Sequence, residues 1–294
     1  MKYLLFNYGK TPDYIEYTFN SIKSVDTNSE IFFLSNKKNS FKNINNLSFD
    51  DFPILKEKKD FLINYYEDTP YSKEKYPLFY TSVLRIFSLY EVSKKLNIES
   101  FIHFDNDVLI YKSFKELDNN NLFAKNKINI TQNNFNDLIF GYSYFPKQIL
   151  TRNLVEGLDK ILDDIKPYTD HYGRGNPLHE MRMLNIIKEK NNELFNILPT
   201  LPYNLDSNII FDPAAYGQFF NGMHHRRGNY IFKRRWVNTK DIVGREIKAK
   251  RIIPKFLNGF PYVEYKNKKI EVSNLHIHSK NLKKFLPKNY SEYC

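Results

Sequence analysis

The stretch Ser100–Tyr111, SFIHFDNDVLIY, sets Asp105, Asn106 and Asp107 between two runs of strand-forming residues. Phe101 and Ile102 precede the acidic cluster, and Val108, Leu109 and Ile110 follow it. In an extended chain, residues two apart point to the same side, so the Asp105 and Asp107 carboxylates would share one face. Two carboxylates at the edge of a core repel each other and are costly to desolvate unless a cation or hydrogen-bond donors compensate them. A hard divalent cation such as Mg²⁺ or Mn²⁺ satisfies both and keeps coordination positions open for diphosphate oxygens. The plain alternative is a surface turn rich in Asp and Asn. The flanking strands and the helix before them argue for the cation.

Upstream, Tyr80–Leu96 predicts a helix with Val83, Ile86, Phe87 and Tyr90 on one face, widened by Leu84 and Leu89. Lys94 and Lys95 sit near its C-terminus, where the helix dipole favours cations. At the start of the chain, residues 2–7 read as a buried strand, Asp13–Val25 as a helix and Glu30–Leu34 as a second strand. That order implies a parallel βαβ opening. Lys37–Lys75 is polar with weak periodicity and predicts loops and short helices. Downstream, Asp137–Phe145 reads as a core strand, Leu178–Lys188 as a helix and Val272–Ser279 as a strand or extended segment. The pattern predicts one α/β domain, a mostly parallel central sheet flanked by helices, with an elaborated C-terminal half.

A chain of 294 residues with 41% apolar and 16% aromatic content can bury a sizeable core without covalent staples. Its one cysteine, Cys294, allows no intrachain disulfide, which fits a reducing compartment. The N-terminal apolar run is broken by Asn7, Gly9 and Lys10, so it reads as a strand and not a signal peptide. No run approaches the ~18 apolar residues of a spanning helix, and a soluble cytoplasmic protein is expected. The net charge of +11 fits a Lys- and Asn-rich surface, an acidic ligand, an anionic membrane face or nucleic acid, and charge alone does not choose among them.

A helix carrying Arg85 (SVLRIFSLYE), followed by an apolar strand ending in D-x-D (IHFDNDVLIY), resembles the nucleotide-sugar transferases of the GT-A, Rossmann-like fold. The likeness runs in order along most of the chain, about Met1–Lys280. It implies that Asp105, Asn106 and Asp107 bind the metal and the ribose or diphosphate of the donor, and that Arg85 faces the donor. It places the nucleotide base along Tyr3–Tyr8, with Tyr8 among the binding residues. Gly141 would be the small residue facing the donor sugar. Residues 1–115 would form the nucleotide-binding half of one domain and 116–294 the acceptor and catalytic half.

Glu180, in NPLHEMRMLN (Asn176–Asn185), lies near a predicted helix N-terminus, where the dipole favours its ionised form. In many inverting GT-A enzymes an acidic residue here deprotonates the acceptor, and His179 is the competing base. A first-turn Glu is also an ordinary helix stabiliser. In LHIHSKNLKKF, His276 and His278 alternate, so only a strand would put both on one face. The resemblance implies a late histidine as metal ligand, here His278 with His276 as the alternative, and Lys280 on the leaving diphosphate. Ser279 stands where glycogenin-like families have Gly, a departure that leaves both histidines as candidate ligands. The segment Phe211–Gly222 and the basic run through His224, His225, Arg226, Arg227 and Lys233–Trp236 read as an acceptor-side loop region, with Trp236 a candidate sugar-stacking ring.

These readings predict a Mn²⁺- or Mg²⁺-dependent glycosyltransferase using a nucleotide sugar, a UDP-sugar by analogy, and a carbohydrate acceptor. Inversion is slightly favoured over retention. No specific nucleic-acid partner is expected, and peripheral contact with an anionic membrane is one use open to the charge. A metal-dependent nucleic-acid-processing enzyme or nucleotidyltransferase would use the same carboxylates and explain the charge directly. A third reading is a noncatalytic carbohydrate-binding protein.

Overall fold

The computed structural model describes residues 1–69, 71–72, 77–203, 207–222 and 237–293. The basic run from His224 to Trp236, the terminal Cys294 and the acceptor role read into that run lie outside the described residues.

The chain opens with β1 (Lys2–Asn7), α1 (Ile15–Val25) and β2 (Glu30–Ser35), and β1 and β2 pair in parallel as expected. Along β1 the alternation decides the layers. Tyr3 and Leu5 join Phe19, Ile22 and Phe33 on the α1 side, while Leu4 and Phe6 join the cluster on the opposite face. The next segment differs from the expected loops and short helices. It forms β3 (Asn45–Ser48), parallel to β2, and a fourteen-residue helix α2 (Pro53–Tyr66). Only Leu55, Leu62 and Tyr66 of α2 are buried, a stripe too narrow to give a clear helical period in so charged a sequence.

Helix α3 (Leu78–Lys95) follows, then β4 (Phe101–His103), β5 (Val108–Ile110) and α4 (Phe114–Asn119). Next come β6 (Ile128–Asn134), β7 (Asp137–Phe145), α5 (Gln148–Asp163), α6 (Ile165–Gly173), α7 (Glu180–Lys190) and β8 (Phe195–Ile197). The central sheet has the order β3-β2-β1-β4-β7-β6-β8. Its pairs are parallel except β4 with β7 and β7 with β6, so the mostly parallel sheet flanked by helices is as expected. All nine residues of β7 are buried, which is why DLIFGYSYF lacks the alternation of a half-exposed strand.

The C-terminal part builds β9 (Ile209–Ile210), α8 (Tyr216–Asn221), α9 (Ile242–Lys248), β10 (Ile253–Leu257), β11 (Phe260–Tyr265), β12 (Lys268–Val272) and β13 (Asn274–His276). A second sheet has the order β10-β11-β12-β9, with its own apolar cluster around Tyr216, Val243, Val263 and Ile277. Strand β13 pairs antiparallel with β5, setting His276 opposite Val108. That pairing carries the end of the chain back to the acidic cluster. Among the described residues no helix is long and apolar enough to cross a membrane.

Candidate metal and donor site

The acidic cluster is not an extended strand. After His103 the chain leaves the sheet and turns, with Val108 N donating to Asp105 O at 3.1 Å. The two carboxylates therefore converge through a tight turn and not through strand alternation. The turn is clamped from three directions. Asp105 N donates to Phe140 O on β7 (3.0 Å), Asn106 Nδ2 to Phe6 O on β1 (2.9 Å), and Thr18 Oγ1 on α1 to Asn106 O (2.7 Å). The turn thus sits at the C-terminal ends of β1 and β4, the edge where parallel α/β sheets bind ligands. Tyr8, just past β1, is half-buried against Phe49 and Tyr80.

The other side of the cluster comes from about 170 residues later. His276 Nε2 lies 3.0 Å from Asp107 Oδ1 and 3.7 Å from Asp105 Oδ2, and ligand atoms from these three residues lie within 4.8 Å of one another. In an octahedron with ~2.1 Å bonds, adjacent ligand atoms are about 3 Å apart, so two carboxylates and one imidazole of this spacing fit Mg²⁺ or Mn²⁺. His276, the alternative ligand, is the histidine in this group. His278 packs its ring against His276 with centroids 4.4 Å apart, and its Nδ1 lies 3.3 Å from Gln218 Nε2. Burial, then the neighbouring His276, pushes the His278 pKa down to about 3. Lys280 donates to Asp107 Oδ2, and its ammonium lies 5.7 Å from the centre of the Tyr14 ring.

Arg85 ties the cluster to α7. One guanidinium nitrogen donates to Asp105 Oδ1 and the other to Glu180 Oε1 at 2.9 Å, while the group lies 5.0 Å from the Phe140 ring centre. Burial would raise the Asp105 carboxyl, but Arg85 and then His276 hold it below the usual range. Burial acts likewise on Asp107, where His276 and then Lys280 hold it well below. His276 and Lys280 are moved up despite burial, each chiefly by Asp107. Glu180 behaves differently. It is the first residue of α7, yet burial outweighs Arg85 and lifts its pKa to about 7, so near neutral pH the carboxyl stands around its midpoint and is not the fully ionised group that a first-turn position implies. His179 caps the same helix, accepting from Arg182 N at Nδ1 (3.4 Å), with Nε2 3.9 Å from Asp137.

Several supporting residues have no local sequence signature. Asp212, fully buried, accepts four backbone N–H groups. Ala215 and Tyr216 donate to Oδ1 (2.7 and 2.8 Å), and Gly217 and His276 to Oδ2 (both 2.9 Å). Asp212-Pro213 reads in sequence as turn initiation, but nothing local links it to His276. Asn274 completes the brace, its Nδ2 donating to Gly141 O (3.0 Å) and Asp212 O (3.3 Å). Gly141 is explained by this packing, since a Cβ there would lie 2.6 Å from Asp212 O. His103, beneath the cluster, has Nδ1 2.7 Å from Leu4 O, and burial, then Arg85, lowers its pKa to about 3. Buried atoms without a hydrogen-bond partner gather here: Arg85 Nε, Asn106 Oδ1 and His276 Nδ1.

No protein-family model and no curated protein matches the chain by sequence. Solved structures similar to this chain include mouse xyloside xylosyltransferase 1, at 11% identity over 68% of this chain and 85% of that one, with a TM-score of 0.45. The galactosyltransferase LgtC, solved with donor and acceptor sugar analogues, gives 12% identity over 81% and 84%, with a TM-score of 0.42. The PaToxG glycosyltransferase gives 14% over 64% and 68%, with a TM-score of 0.41.

Proposed function

We propose that the chain is a divalent-metal-dependent glycosyltransferase, moving a sugar from a nucleoside-diphosphate sugar, UDP-sugars favoured, to a hydroxyl of a glycan or other acceptor. The observation that carries this reading is the convergence of Asp105 and Asp107 from one turn with His276 from the end of the distant strand β13, with Lys280 and the Arg85–Glu180 pair beside them. One domain serves both substrates in this reading, with 1–115 holding the nucleotide and 116–294 the acceptor.

In this proposal Asp105, Asp107 and His276 hold Mn²⁺ or Mg²⁺, which when bound neutralises the donor diphosphate. Tyr8 and Asn106 stand at the β1 end of the site, where the nucleoside would lie. Lys280 compensates the charge that grows on the leaving diphosphate. Glu180 takes the acceptor proton as the acceptor oxygen bonds to the anomeric carbon and the bond to the diphosphate oxygen breaks. A pKa of about 7 suits a general base near neutral pH. Arg85 positions that base by joining it to a metal ligand. Attack opposite the leaving group inverts the anomeric centre. His179, as a helix cap facing Asp137, is the less suited base.

The test is nucleotide release from a panel of nucleotide sugars with Mn²⁺. Release from one donor class, abolished by chelation, is the expected result. No release from any donor, together with tight and steeply salt-dependent binding of DNA or RNA, would favour the nucleic-acid reading.

A further inference from the structure

The basic charge is not spread evenly. Residues 245–293, one sixth of the chain, carry twelve Lys or Arg against four Glu, so they hold +8 of the net +11. The metal and donor site uses only Lys280 of these. Lys255, Lys266, Lys268 and Lys269 lie on the β10–β12 meander itself.

The meander has two unlike faces. Pro254, Pro261, Val263, Ile270 and Val272 point inward and are buried. The register sets Ile253 opposite Glu264, Lys255 opposite Tyr262 and Leu257 opposite Phe260 on the outer face. Ile253 is 49% and Leu257 59% exposed, on a strand that forms the edge of its sheet. The acids on this face are already paired, Glu264 with Lys255 (2.5 Å) and Glu271 with Lys112 (2.8 Å). Around the apolar strip lie the exposed Lys266, Lys268 and Lys269 at the β11–β12 turn. At the β10–β11 turn, Gly259 packs against the Lys288 backbone, which brings a further exposed lysine to the Leu257 end of the strip.

We propose that this outer face docks on an anionic lipid bilayer, with Ile253 and Leu257 entering the headgroup boundary and the surrounding lysines meeting lipid phosphates. Basic residues beside a lipid surface supply attraction, and exposed aliphatic side chains supply burial that the phosphates of a nucleic acid would not reward. An edge lysine such as Lys255 also disfavours pairing with a second copy through the β10 edge. The proposal is independent of the catalytic reading.

Co-sedimentation of the full chain with vesicles decides it. Binding is expected with phosphatidylcholine vesicles containing phosphatidylglycerol, absent with phosphatidylcholine alone, and weakened by salt. The pair Ile253→Asp with Leu257→Asp should lower binding about tenfold or more, and Lys266, Lys268 and Lys269→Gln should lower it severalfold. Circular dichroism and the melting midpoint report whether each variant folds; if the Asp pair does not, the lysine variant decides. Lack of binding to anionic vesicles at low salt would overturn the proposal. So would binding unchanged in the folded variants, or a dimer in solution that the Asp pair dissociates.

Discussion

The acidic turn at Asp105–Val108 and the turn at Ile277–Lys280 face each other across the site, and each is closed by a backbone hydrogen bond. Val108 N donates to Asp105 O at 3.1 Å in the first, and Lys280 N to Ile277 O at 2.8 Å in the second. They differ in what holds them. The acidic turn is fastened to β1, α1 and β7, elements that pack in the central core. The later turn depends on β13, whose His276 N–H is held by the Asp212 carboxylate, and on the Ile277 N–H donating to Asp107 O (2.8 Å). One half of the site is thus built by the central sheet, and the other hangs on the short strand β13 and the buried Asp212 carboxylate that braces it. Damage to the first should remove chemistry, and damage to its support should loosen the second half and the fold together.

Asp107→Asn should give the largest loss. It removes a ligand and the partner of both His276 and Lys280 while the backbone bond from Ile277 survives; transfer should fall at least about 10³-fold, and the melting midpoint of the metal-free protein should drop because the buried ion pairs at Asp107 are broken. Asp212→Asn attacks the support instead. An amide cannot accept all four N–H groups, so a loss of about 2–3 kcal/mol is expected in denaturant unfolding, accompanied by weaker Mn²⁺ binding. An unchanged Mn²⁺ affinity in that variant would mean that the brace does not govern His276.

Glu180→Gln tests the base, with an expected fall of about 10²-fold in transfer and unaltered metal binding. The wild-type rate should rise as pH climbs through about 7, where the Glu180 proton leaves, and the variant should lose that limb. The stability sign runs the other way. A carboxyl whose pKa is raised on folding contributes most below its unfolded pKa, and that contribution is lost as pH rises through about 7. Gly141→Ala is the smallest perturbation. Its Cβ would meet backbone at Asp212 O, which cannot swing aside, and about 1–3 kcal/mol of destabilisation is expected by thermal melting.

The halves also differ in how far they could be read in advance. The strand order of the opening, the α3 helix and the buried β7 strand are encoded in short-range apolar patterns, and the acidic cluster lies where those patterns place it. Its geometry was not legible, since a turn and an extended strand can both carry D-x-D, and only the clamps from Phe6, Thr18 and Phe140 select the turn. The choice between His276 and His278 rests on β13 pairing with β5, a contact of 168 residues' separation at His276 and Val108. Helix α2 escaped because only three of its side chains are buried. The raised Glu180 pKa escaped because the local helix dipole is outweighed by burial that the rest of the fold imposes.

Mn²⁺ titration followed by electron paramagnetic resonance, on the wild type and on His276→Ala and His278→Ala, addresses the site most directly. One bound Mn²⁺ in the wild type, tightened by a nucleoside diphosphate, is expected. Affinity should drop at least about tenfold in His276→Ala and stay near wild type in His278→Ala. No Mn²⁺ binding by the wild type, or loss in His278→Ala with His276→Ala unaffected, would contradict the assignment of Asp105, Asp107 and His276 as the metal site.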